Sequence, residues 1–182
     1  AFLSWECVYR LSQDPEALDL RTIASAVGGD ASTRHGIVLA KSPLAKRCGV
    51  VTGEPLSQAL RKCPDLVVVP SRFDFYIKCS RRMMKLLDEY TPDHEKFSID
   101  ETFLDMTGTI HLFGSPLNVA NEIRERIKHE LGFTVNIGIA PNKLLAKMAS
   151  DFEKPDKCHT LFREEIPAKM WPLPIRELFF VG

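Results

Sequence analysis

The run Phe97-Ser98-Ile99-Asp100-Glu101-Thr102-Phe103-Leu104-Asp105 sets two adjacent carboxylates in the middle of an apolar, β-prone stretch. Neighbouring side chains of an extended strand point to opposite faces, so Asp100 and Glu101 can serve one site only where the backbone turns or a strand ends. The stretch therefore reads as a hairpin that carries both acids at its tip. Such a tip has two readings. It can offer oxygen ligands to divalent cations such as Mg²⁺, because two-metal phosphoryl-transfer sites need several converging carboxylates. It can equally be a solvated turn with two surface acids.

The flanking pattern narrows the architecture. From Ser71 onward, Phe73, Tyr76, Ile77, Met83, Met84 and Leu87 recur at helical spacing, and Asp88-Glu89-Tyr90 closes that helix. Beyond the hairpin, Ser115-Pro116 opens a helix with Leu117, Ala120, Ile123, Ile127 and Leu131 on one stripe and Gly132 at its end. Val135, Ile137 and Ile139 then alternate with the strand period, and Pro141-Asn142 starts another helix. The order helix, hairpin, helix, strand predicts an α+β fold of ferredoxin-like type, an antiparallel sheet with helices on one face. Its first strand is expected to be missing or to lie before Ala1.

The first 70 residues are built of shorter pieces. Residues 3–10 are helix-compatible, and Asp14-Pro15 breaks the pattern because a residue before proline avoids the helical region. Residues 23–27 and 36–40 read as strands flanking the turn-forming Gly28-Gly29-Asp30. Ser42 is the expected N-cap of a helix with Pro43 at its first position and Gly49 at its C-cap. Residues 56–61 form another short helix, and residues 66–69 read as a buried strand closed by Pro70. The expected division is 1–10 as the start of the main domain, 11–70 as a small α/β insertion, 71–165 as the main domain and 166–182 as a linker.

Composition sets the class. At 182 residues, 45% hydrophobic and 26% charged, the chain can bury a core and should form one large or two small domains. Its 24 basic and 24 acidic residues cancel, so a polyanion partner would have to be met by a local basic surface. No apolar run approaches a membrane span and no signal-peptide pattern opens the chain, which points to the cytoplasm. Five cysteines without a CxxC pair argue against a disulfide framework and a zinc knuckle, leaving reduced, mostly buried thiols.

Basic residues do cluster locally. Lys143 and Lys147 stand one helical turn apart in Asn142-Lys143-Leu144-Leu145-Ala146-Lys147-Met148-Ala149-Ser150-Asp151, and Lys154-Pro155 follows. A pair at this spacing can be a solvated helix face or part of a polyanion site. Lys46 and Arg47 lie on the helix that begins after Ser42, with Lys41 just before it.

Taken together, residues 98–105, 142–151, Lys154-Pro155 and Trp171-Pro172-Leu173-Pro174-Ile175-Arg176-Glu177-Leu178 resemble, in order and spacing, the Y-family translesion DNA polymerases of the DinB/UmuC (ImpB/MucB/SamB) type. The resemblance covers nearly the whole chain and implies a polymerase palm with a small fingers insertion. It implies that Asp100 and Glu101 are catalytic acids holding two Mg²⁺ ions, and that Lys154 and Lys46 contact the incoming triphosphate. At position 46 many members carry arginine; lysine keeps the charge but loses the bidentate fork. Phe2 aligns with the aromatic that crowds a ribose 2′-hydroxyl, and Glu6 with the end of the same motif. Lys143 and Lys147 are the expected DNA contacts. Implied partners are primer-template DNA, deoxynucleoside triphosphates and a sliding clamp, in damage bypass and the SOS response.

The chain also departs from the pattern. Pro43 stands where many members have a tyrosine whose hydroxyl reaches the phosphates, so that contact is not carried over. The resemblance implies a third metal-binding carboxylate several residues before the position of Phe2, and Ala1 is the first residue here. The chain as given is therefore expected to be inactive, and to lack the thumb and little finger beyond Phe179-Phe180-Val181-Gly182. Two further readings stay open: a nucleotide-cyclase-like palm, which should show a glycine-rich hairpin tip, and a non-catalytic ferredoxin-like interaction module.

Overall fold

Pro15 shapes the start of the chain in the computed structural model, which describes residues 1–29 and 36–181. Helix α1 (Phe2–Gln13) ends where Asp14 turns extended, at φ −145° and ψ 107°, as the clash with the proline ring requires. The chain divides after Arg81 into two units, Ala1–Arg81 and Arg82–Gly182. Asp30 of the expected turn and the terminal Gly182 lie outside the described residues.

The first unit is built on a three-stranded sheet of order β2-β1-β3. Strand β1 (Ser25–Gly28) is buried throughout and pairs antiparallel with β2 (Val38–Lys41) and parallel with β3 (Val67–Pro70). Strand β3 departs from expectation, because only Val69 is buried and Val67 is exposed. Among the described residues it is an edge strand with one neighbour, which is also where a proline without an N–H is tolerated. Helix α2 (Pro43–Arg47) is capped by Ser42, as its sequence predicts, but its C-cap is Cys48; Gly49 follows in the left-handed region at φ 82°. Helix α3 (Leu56–Lys62) packs its Leu56 and Ala59 with Ala26, Val38, Ala45, Val50, Cys63 and Leu66. Helix α4 (Phe73–Leu87) begins in this unit, and its Tyr76 is fully buried together with Trp5 of α1.

In the second unit, β4 (His94–Lys96) and β5 (Thr102–Leu104) form the expected antiparallel hairpin, with Glu95 opposite Phe103. Helix α5 (Pro116–Arg126) is capped by Ser115, continues as a wider π turn over Ile127–Leu131, and stops at Gly132 with φ 80°. Strand β6 (Ile137–Ile139), helix α6 (Lys143–Asp151) and strand β7 (Cys158–Thr160) follow, and a short helix α7 (Ile166–Lys169) comes after them. The class is α+β, as expected, but β6 and β7 pair in parallel, because the connection between them is the helix α6. Val135 stays outside that ladder. Met148, Ala149 and Leu161 form the local core. Gly138 lets β6 and α6 touch backbone to backbone: a Cβ there would stand 1.8 Å from the Ala146 carbonyl oxygen.

Among the described residues no helix is long and apolar enough to cross a membrane. Cys7, Cys63 and Cys79 are buried and Cys158 half-buried, whereas Cys48 is exposed.

Candidate functional site

The β4–β5 turn holds the two acids as its sequence requires. The N–H groups of Phe97 and Ser98 both donate to the Glu101 carbonyl at 3.0 Å, which closes the turn and places residues 98–101 at its tip. Ser98 Oγ donates to Asp100 Oδ1 at 2.9 Å, and Asp100 is half-buried.

Glu101 meets α6. Lys147 Nζ donates to Glu101 Oε1 at 2.5 Å and lies 3.4 Å from Asp151 Oδ2, while Lys154 Nζ stands 2.6 Å from Asp151 Oδ1. Asn142 positions this helix: its side-chain oxygen accepts from the Leu145 N–H at 2.9 Å, which caps α6 and sets Lys147 in its second turn. The Lys147 side chain is only 14% exposed, against 39% for Glu101, and its ammonium lies 5.7 Å from the Phe179 ring centroid. Burial pulls the Lys147 pKa down, but Glu101 and Asp151 outweigh it and hold the pKa above its usual value. For Asp151 burial pushes up, and the hydrogen bond and charge of Lys154 with those of Lys147 bring the net shift below the ordinary carboxylate range.

Lys143, one turn earlier, points to a different acid, Glu95, at 2.5 Å with both side chains exposed. Such a pair contributes little to stability. Asp105 is held below the usual carboxylate range by its hydrogen bonds to Thr107.

The other two predicted residues lie in the first unit. Phe2 stacks on Tyr76 with centroids 5.0 Å apart and planes 15° apart, and meets the edge of Phe73 at 5.6 Å. Lys46 is exposed on the last turn of α2. Glu6 is fully buried and accepts from the Tyr76 hydroxyl at 3.0 Å and from Arg72.

The structure thus joins Glu101, Lys147, Asp151 and Lys154 in one run of ion pairs, beside Asp100 on the same turn, and turns Lys143 away to Glu95. Sequence reasoning missed Asp151 as a member of this run. Its spacing from Lys147 (i, i+4) and Lys154 (i, i+3) was available as a signal. Asp100 and Glu101 offer the hard oxygen donors that Mg²⁺ takes, and so fit as part of its ligand set. Among the described residues no group of three or more His, Cys, Asp or Glu is placed to hold a metal ion.

Residues 2–151 match the model of the impB/mucB/samB family. Over 182 residues the chain is 55% identical to a protein named DNA polymerase IV from Clostridium acetobutylicum, covering 100% of this chain and 46% of that protein. The crystal structure of DinB from Sulfolobus solfataricus superposes with a TM-score of 0.86 at 28% identity, covering 100% of this chain and 51% of that one. An insertion ternary complex of Dbh DNA polymerase superposes with a TM-score of 0.84 at 28% identity, covering 99% of this chain and 52% of that one. The chain spans about half the length of these relatives.

Proposed function

The chain belongs to the impB/mucB/samB family, and from that premise we propose that it forms the palm and fingers of a Y-family translesion DNA polymerase, with residues 11–70 as fingers and residues 1–10 and 71–165 as palm. The reaction is addition of a deoxynucleotide to a primer 3′ end, templated by DNA. The observation that carries this reading is the pair Asp100 and Glu101 at a hairpin turn, next to the cationic run Lys147–Lys154 in the second unit.

Asp100 and Glu101 are the residues that would hold Mg²⁺. When bound, Mg²⁺ supplies activation of the primer hydroxyl and charge neutralisation at the leaving pyrophosphate. Ser98 fixes the Asp100 carboxylate by its 2.9 Å hydrogen bond. Lys154 and Lys46 neutralise the triphosphate, and Phe2, held flat against Tyr76, crowds the sugar edge and disfavours a 2′-hydroxyl. Lys143 on the exposed side of α6 contacts the DNA backbone. The same reading assigns the protein to the cytoplasm, to damage bypass in the SOS response, and to recruitment by a sliding clamp.

Asp100→Asn in the full-length protein tests the assignment. Templated primer extension with Mg²⁺ should be abolished while thermal unfolding is unchanged. Extension at the wild-type rate would remove Asp100 from the site.

A further inference from the structure

Glu101 already has a cation. Lys147 Nζ stands 2.5 Å from its Oε1 and already neutralises that oxygen, so another cation approaching it meets the ammonium charge. The lysine is held there by more than the salt bridge, since its side chain is only 14% exposed and its ammonium lies 5.7 Å from the Phe179 ring centroid. A second acceptor waits on the same helix: Asp151 Oδ2 is 3.4 Å away, and the other Asp151 oxygen is taken by Lys154 at 2.6 Å. Lys147 can therefore leave Glu101 without losing a carboxylate partner.

We propose that Lys147 is a placeholder cation: it neutralises Glu101 while no metal is bound and transfers its hydrogen bond to Asp151 when a divalent cation arrives. The inference rests on the reading of Asp100 and Glu101 as metal ligands. Metal binding is then an exchange of one cation for another, because an ammonium and a divalent ion within about 4 Å repel each other strongly in a partly desolvated site. Lys147 keeps the acidic turn from splaying before metal binds, and it weakens metal binding by the interaction it must give up. A lysine with a merely structural role would act in the opposite sense, since its loss would loosen Glu101 and weaken the site.

The test uses this chain, Mn²⁺ as the probe, and electron paramagnetic resonance to count free Mn²⁺. Lys147→Met and Lys147→Gln should bind Mn²⁺ about three- to tenfold more tightly than wild type, and Lys147→Arg, which keeps the charge, should bind as wild type does. Metal-free Lys147→Met should also melt at a lower temperature than wild type, with the gap closing as Mn²⁺ is added. Asp151→Asn, which removes the negative charge that would receive the displaced ammonium, should bind less tightly. If the wild-type chain binds no Mn²⁺, or if Asp100→Asn and Glu101→Gln leave binding unchanged, the metal-site reading itself fails. If binding needs both acids but is no tighter in the Met and Gln variants, the exchange alone is overturned.

Discussion

The hydroxyl of Tyr76 donates a 3.0 Å hydrogen bond to Oε2 of Glu6, a carboxylate with no exposed surface. Arg72 donates to the other oxygen and lies 4.4 Å over the Tyr9 ring. Burial, reinforced by the Glu6 charge, pushes the Tyr76 phenol well above its usual value. The ring that makes this bond is also the one on which Phe2 stacks. The position of the proposed sugar-crowding aromatic is thus tied to a buried acid one helical turn away.

Glu6→Ala should leave the Tyr76 hydroxyl and the Arg72 guanidinium without their shared partner. Removing one member of a buried charged pair costs roughly 3 kcal/mol, and urea unfolding of the chain should show a loss of that order. Glu6→Gln, which keeps an acceptor for Tyr76, should lose less. Equal stability of both variants and wild type would mean that the network contributes nothing to folding.

Ser42 carries two hydrogen bonds on one buried oxygen. Its Oγ accepts from the Ala45 N–H, capping α2, and from the Ser25 N–H of β1, each at 3.1 Å. Ser42→Ala should cost about 2 kcal/mol, the sum of a lost cap and an unsatisfied strand donor. Ser115 is the internal comparison: it caps α5 in an exposed position with one bond, to the Asn118 N–H at 3.2 Å. Its alanine variant should cost about 1 kcal/mol or less, and denaturant midpoints of the two variants would reveal the ordering.

Gly138→Ala should be more damaging than either. The added methyl would lie 1.8 Å from the Ala146 carbonyl oxygen and 2.6 Å from the Ser150 nitrogen, both backbone atoms of α6. Relief requires β6 and α6 to separate, at about 3 kcal/mol or more. Because α6 carries Lys147, the variant should also alter the Lys147–Glu101 pair, visible as a shifted lysine Nζ signal by NMR. A melting temperature equal to wild type would contradict the close approach.

Asp19 predicts an acid limb. Its carboxylate accepts from the Arg21 side chain at 2.7 to 3.1 Å, and this hydrogen bonding is the main cause that lowers its pKa from 3.8 to about 2. A lowered folded-state pKa means that the unfolded chain takes up the proton first as pH falls. The contribution is therefore fully present above about pH 4 and is lost as the pH drops through 2. Both side chains of the pair are only half-buried and solvent screens them, so the effect should be small. Asp19→Asn should narrow its stability difference from wild type between pH 4 and 2 in urea titrations, and a difference that stays constant over this range would remove Asp19 from the acid limb.

Local signals were legible in the sequence where the physics is local. Pro15 ended α1, Ser42-Pro43 and Ser115-Pro116 opened α2 and α5, Asn142 capped α6 and Gly132 stopped the chain in the left-handed region. Each works within three or four residues through a cap, a ring clash or a permitted φ. Strand environment was less legible. The apolar run at 66–69 reads the same for a central and an edge strand, and only the sheet order put β3 at the edge. The parallel pairing of β6 with β7 depends on the path of α6, which periodicity does not report.

What the sequence determined by itself was the set of element starts and stops, the turn that must carry Asp100 and Glu101, and a motif order resembling a polymerase family. The tertiary structure alone decided who neutralises whom. Lys147 meets Glu101 across 46 residues, Lys143 meets Glu95 across 48, and Tyr76 meets Glu6 across 70. Two lysines one turn apart on the same helix look equivalent in sequence. They differ because α6 seats one of them against Phe179 and the hairpin turn, where a cation is poorly solvated and must be paired, and leaves the other in water, where pairing matters little.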